Sequence, residues 1–165
     1  MSRLSSIVFA ALYFARNVAG AELPDPRFND ARQALREGIP QVAIEKLQVL
    51  LKVPELPAGE RREAVLLLAQ AYLSAGQSER VPAVLGEEQL PPDDVNLLLG
   101  HAEASAGRWT NALRHYQSIQ GAGPHALAAA LGQAESHSAL GQVSEAIKVL
   151  ERVLTSGPIT NEVLL

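Results

Sequence analysis

Residues 93–126 read DDVNLLLGHAEASAGRWTNALRHYQSIQGAGPHA, and residues 127–160 read LAAALGQAESHSALGQVSEAIKVLERVLTSGPIT. Laid one above the other, the two stretches keep a common register of about 34 residues. Gly107 meets Gly141, Ala112 meets Ala146, and Gly123-Pro124 meets Gly157-Pro158. Between these landmarks each stretch has the apolar spacing of a helix, a tight turn, a second helix and a break. A unit this short cannot bury its own apolar face, so it must stack on copies of itself.

The pattern extends toward the N-terminus. Asp25-Pro26 reads as a helix cap followed by a first-turn proline. Phe28, Ala31, Ala34 and Leu35 then follow at helical spacing, and Gly38 stops the run. Pro40 opens a partner helix with Val42, Ala43, Leu47, Leu50 and Leu51 on one face, ended by Pro54 and Pro57. Residues 60–75 form a strongly apolar helix that stops at Gly76. Its partner, residues 79–85, is the weak element: Pro82 is tolerable only in a first turn, and Gly86 follows soon after. Asp93 and Asp94 suit the positive end of the next helix. No stretch alternates with β-branched residues as a strand would. The expected fold is all-α, a superhelical array of antiparallel helix hairpins in about four units, near 24–57, 62–92, 93–126 and 127–160.

This arrangement resembles the tetratricopeptide repeat family. Residues 93–126 carry the match best. Leu99-Gly100 falls at the Leu-Gly pair of the family's first helix, Gly107 at its turn and Trp109 at the aromatic position after it. Ala112 falls at the small-residue position of the second helix, Tyr116 at the next aromatic position and Pro124 at the closing proline. Residues 127–160 match through Ala134, Gly141, Ala146, Leu150 and Pro158, and His137 stands where an aromatic is usual. In the second unit Val81 replaces the small residue, which puts that unit's second helix in doubt. The resemblance implies a concave groove lined by the first helices. By that alignment Phe28, Leu66, Leu97 and Leu131 share one inward position, where they either pack between helices or line the groove, and Arg32, Gln70, His101 and Glu135 lie one turn further along. The groove set that clamps a C-terminal carboxylate in some members is missing, because Arg32 alone is basic and no groove asparagine supports it.

The first 21 residues stand apart. Arg3 gives a positive start, residues 4–15 are mostly apolar, and Ala19-Gly20-Ala21 supplies small residues at a cleavage position before Glu22. That is the three-part pattern of a secretory signal peptide. The apolar run is well short of the roughly 20 residues that span a bilayer. An uncleaved anchor helix or a buried N-terminal helix are the alternatives. Arg3 and Arg16 are the only charged residues of this segment, so its removal takes the formal net charge from −4 to −6.

Composition narrows the function. There are no cysteines, which removes a disulfide framework, a thiol nucleophile and cysteine zinc sites; an exported chain without disulfides suits a bacterial periplasm. Aromatics are only 4% and no Lys/Arg run is present, so neither a base-stacking platform nor a phosphate-binding patch is expected. The four histidines, His101, His115, His125 and His137, do not form the two-histidine zinc pattern of one helix. Glu87-Glu88 and Asp93-Asp94 sit at a loop and a helix start, without the closed cleft that splits carboxylate pKa values. Gly121-Ala122-Gly123 follows no strand, so it is a linker and not a phosphate loop.

The expectation is therefore a non-catalytic scaffold of the bacterial envelope, without cofactor or metal. It would bind a protein or peptide in the groove, with no nucleic-acid partner and no membrane span once the signal is removed. The alternative is an N-terminal docking or regulatory module of a longer enzyme or envelope-assembly protein, with residues 161–165 beginning another first helix or a capping helix.

Overall fold

The computed structural model describes residues 26–86, 88–119 and 124–156. Within them lie eight α-helices: α1 (Pro26–Arg36), α2 (Pro40–Leu51), α3 (Ala58–Ser74), α4 (Val81–Leu85), α5 (Pro92–Ser105), α6 (Trp109–Gln117), α7 (Pro124–Ala139) and α8 (Val143–Ser156). A 3-10 turn over Ser78–Arg80 leads into α4. Among the described residues there is no strand. Each odd-numbered helix packs on the even-numbered helix after it, and each even-numbered helix on the next odd one. The first helices also touch in series, α1 on α3, α3 on α5 and α5 on α7. This is the stacked hairpin array of a tetratricopeptide-like repeat.

The turns inside the hairpins are one device used four times. Gly38, Gly76, Gly107 and Gly141 all lie at positive φ, between 71° and 76°. At Gly107 the glycine N–H donates to the Ala104 carbonyl at 2.9 Å, and the next N–H, of Arg108, reaches back to the Glu103 carbonyl at 2.9 Å. Gly141 and Gln142 repeat this on Ser138 and His137, at 3.0 and 2.8 Å. These paired bonds satisfy carbonyls that a helix end leaves open, and the geometry needs a residue without a Cβ penalty at positive φ. The breaks between hairpins are built differently. After α2 there is no glycine; instead the Arg61 guanidinium, from α3, donates to the carbonyls of Leu51 and Val53, both at 3.2 Å.

The apolar interior runs through the array in three clusters. The largest runs from unit one through unit two into the first helix of unit three, from Phe28 and Leu47 through Val65, Leu68 and Tyr72 to Val81, Leu85 and Leu98. A second gathers Leu97, Ala112, Tyr116, Ala128 and Ala129. The third is small, with Ala134, Ala146 and Val149. Ala112 is fully buried and Ala146 nearly so, as the register requires where helices cross.

The doubt over α4 resolves in favour of a short helix. Val81 and Leu85, one turn apart, are both buried and pin it to the core. Pro82 stands in its first turn, where the missing N–H would have had no helical partner. With five residues the helix has little internal hydrogen bonding to lose, and stability in such arrays is a sum of units and neighbouring interfaces. Local opening is therefore predicted to concentrate here. In native-state hydrogen exchange, amides between residues 77 and 92 should exchange fastest among the internal segments. Protection equal to that of residues 93–119 would contradict this.

Candidate functional site

The residues aligned along the first helices do not form one open row. Phe28 is fully buried, and Leu97 is only 2% exposed, packed with Ala112, Tyr116, Ala128 and Ala129. Leu66 is half-buried against the first cluster, and Leu131 alone is exposed, at 39%. Phe28 and Leu97 thus follow the packing reading of this row. The reason is steric. Small residues on α7, Ala128 and Ala129, let that helix close over Leu97. Leu131 lies on the last first helix of the described array, with none after it to cover it.

One turn further along, the polar positions behave unusually for a protein interior. Arg32 on α1 lies over the Phe28 ring, 5.3 Å from its centroid, and its Nη2 donates to Glu63 on α3. Its Nη1 is buried without a hydrogen-bond partner among the described residues. Gln70 on α3 is only 2% exposed, and neither its Nε2 nor its Oε1 has a partner there. An unmet buried amide of this kind costs roughly 1–3 kcal/mol, and such groups are few in folded proteins. Glu135 on α7 is exposed.

His101, on α5, is held differently. Its Nδ1 lies 3.2 Å from the Tyr116 hydroxyl, which donates to it in the tautomer with Nδ1 unprotonated. The two rings meet edge to face, with centroids 5.4 Å apart. Burial lowers the imidazole pKa from 6.5 to about 4. The Tyr116 hydroxyl is pushed above its usual value, first by burial and then by the Glu135 charge. Because the folded-state pKa of His101 lies below its unfolded value, its contribution to stability is present above pH 6.5 and is lost as pH falls toward 4. His115, also lowered chiefly by burial, acts in the same direction. We predict that wild type loses up to about 3 kcal/mol more stability than His101→Gln between these pH values. Parallel denaturation curves for the two proteins would contradict the buried neutral imidazole.

Other polar contacts tie the hairpins together. His125 Nε2, at the start of α7, lies 2.8 Å from Asp94 Oδ1 in the first turn of α5. His115 Nδ1, on α6, lies 3.2 Å from Asn96 Oδ1. His137, at the aromatic position, sits at the last hairpin turn with Nδ1 2.7 Å from Gln142 Oε1. Among the described residues no group of three or more potential ligands is placed to hold a metal ion, and no helix is long and apolar enough to cross a membrane.

Sequence reading missed one residue that organises the site, Gly132. Tyr116 is fully buried between two glycines, Gly100 of α5 and Gly132 of α7. A Cβ added at either would fall inside van der Waals contact with the ring; at Gly132 it would lie 2.5 Å from it. Gly100 stood out through its register position. Gly132, in a helix interior, carried only the weak signal that it lies one unit below Leu98-Leu99-Gly100, shifted by two residues. Gln133 adds a bond across the same contact, from Nε2 to the Tyr116 carbonyl at 3.2 Å.

No curated protein matches the chain. Repeats of the tetratricopeptide kind generally mediate protein–protein interaction. Residues 97–158, less than half of the chain, match the family model described as Tetratricopeptide repeat, and this match supports a tetratricopeptide-repeat protein.

Proposed function

We propose that this chain is an exported, non-catalytic scaffold of the bacterial cell envelope that binds a protein or peptide along the inner side of its first helices. The observation that carries the reading is the exposure of Leu131 and Glu135, one turn apart on α7 at the aligned first-helix positions. An apolar side chain beside a carboxylate offers a peptide both anchorage and a hydrogen-bond acceptor. Export rests on the residues 1–21 pattern, which lies outside the described residues, as do Asp25 and Pro158. Leu131 is the apolar contact and Glu135 the polar one in this reading.

The test begins with affinity capture of the mature chain's partner from its own cell envelope. Leu131→Asp is expected to lower affinity for the captured partner tenfold or more, about 1.4 kcal/mol, with the melting temperature held. Glu135→Gln should weaken binding as well without unfolding the chain. Unchanged affinity in both variants would place the partner elsewhere. N-terminal sequencing of protein from whole cells should begin at Glu22, and an intact Met1 in the soluble cytosol would reject export.

A further inference from the structure

All four histidines lie from residue 101 onward, and units one and two have none. Histidine is the side chain whose ordinary pKa lies between pH 5 and 8, and carboxylates titrate lower. Acidification from pH 7 to 5 therefore places its new charge on units three and four. Three of the four histidines bridge helices at the joint between these units. His101 Nδ1, on α5, meets the hydroxyl of Tyr116, the ring seated between Gly100 of α5 and Gly132 of α7. His115 Nδ1 reaches back from α6 to Asn96 Oδ1 of α5. His125 Nε2 reaches from the start of α7 to Asp94 Oδ1 at the start of α5.

The three contacts respond differently to a proton. A protonated His125 still donates to Asp94, so acid leaves that contact in place. A protonated His101 can no longer accept from the Tyr116 hydroxyl. Burial also opposes its charge, as it chiefly does at His115, where Glu103 acts the other way and Arg114 the same way. The titratable groups brought to His101 by the elements packed against α5 are Tyr116 on α6, Glu135 on α7, and Glu79 and Arg80 on the 3-10 turn. Helix α4 has none, and α3 keeps its charged residues in its first two turns, with Gln70 at the register of His101. Little apolar bulk holds this joint. Three of the five buried residues of its cluster are alanines, whereas the first cluster is rich in Leu, Val and Ile.

We propose that the joint between units three and four is an acid-sensitive opening point, at which α7 parts from α5 around Tyr116 while units one and two keep their packing. Units in such an array couple only to their neighbours, so a destabilised interface can open by itself. Leu131 and Glu135 ride on α7, so this opening also sets the geometry of the proposed groove. The opening itself does not depend on a partner, and its test uses none.

Hydrogen exchange of the full chain at pH 7 and pH 5, corrected for the intrinsic rate at each pH, reads the joint directly. With a His101 pKa of about 4 when enclosed and 6.5 when exposed, opening in residues 93–119 and 124–139 should rise on the order of twentyfold. Residues 26–74 should hardly change. In His101→Gln most of the rise should vanish. An equal rise in both segments, no rise at the joint, or a full rise that persists in His101→Gln would overturn the proposal. The wild-type comparison decides the first two whatever the stability of the variant.

Discussion

Tyr116→Ala is expected to lower folding stability by about 3–5 kcal/mol, the range for removing a large buried aromatic. The ring is fully buried between α5 and α7, and among the described residues it is the largest of the side chains that are wholly enclosed. The flanking residues at the points of closest approach are glycines. No side chain there can swing in to fill the space, so the cavity should persist and the cost should fall toward the upper end. The hydroxyl is a smaller matter. Tyr116→Phe loses only the contact with His101, a bond of the class worth about 1 kcal/mol net. Chemical denaturation of the two variants checks both figures. A Tyr116→Ala protein within 1 kcal/mol of wild type would mean that the ring is not enclosed.

Ala112→Arg is the second large effect. Ala112 is fully buried in the cluster formed by Leu97, Tyr116, Ala128 and Ala129. An arginine there must either bury an unpaired charge or push α6 away from its neighbours. Either outcome belongs to the class of changes that cost several kcal/mol. Because units couple only to their neighbours, the loss should be felt in α5 through α8 before α1 through α3. Thermal unfolding should show an earlier midpoint, and hydrogen exchange should place the loss in residues 93–156. A midpoint equal to wild type would mean that the register placing Ala112 at a helix crossing is wrong.

The repeat was legible because its landmarks are local. A glycine that must take positive φ, as at Gly107 and Gly141, announces a turn whatever surrounds it. Prolines at the starts of α2 and α5, and within the first turn of α4, mark helix entries for the same reason. The weakness of α4 could be read from Pro82 and Gly86 alone, but its survival could not. That depends on Val81 and Leu85 finding the first cluster, a tertiary fact. The site was legible only in part. Helical periodicity shows that Phe28, Leu66, Leu97 and Leu131 share a position, but not how closely the next helix approaches it. Ala128 and Ala129 decide that for Leu97, and they belong to another unit. The same limit hid Gly132, whose role appears only once Tyr116 is placed against it. It also hid Gln70, whose lack of partners is a property of the packed array.

The central claim is that consecutive units lock through Tyr116 seated between Gly100 and Gly132. A double-mutant cycle between Gly132→Ala and Tyr116→Ala tests it most directly. With tyrosine present, the added methyl meets the ring, and Gly132→Ala should destabilise by about 1–3 kcal/mol through overpacking. With Tyr116→Ala in place the clash is gone, and the same change should stabilise by up to about 1 kcal/mol through helix propensity. A reversal of sign between the two backgrounds is the predicted result. An equal effect of Gly132→Ala in both would contradict the account.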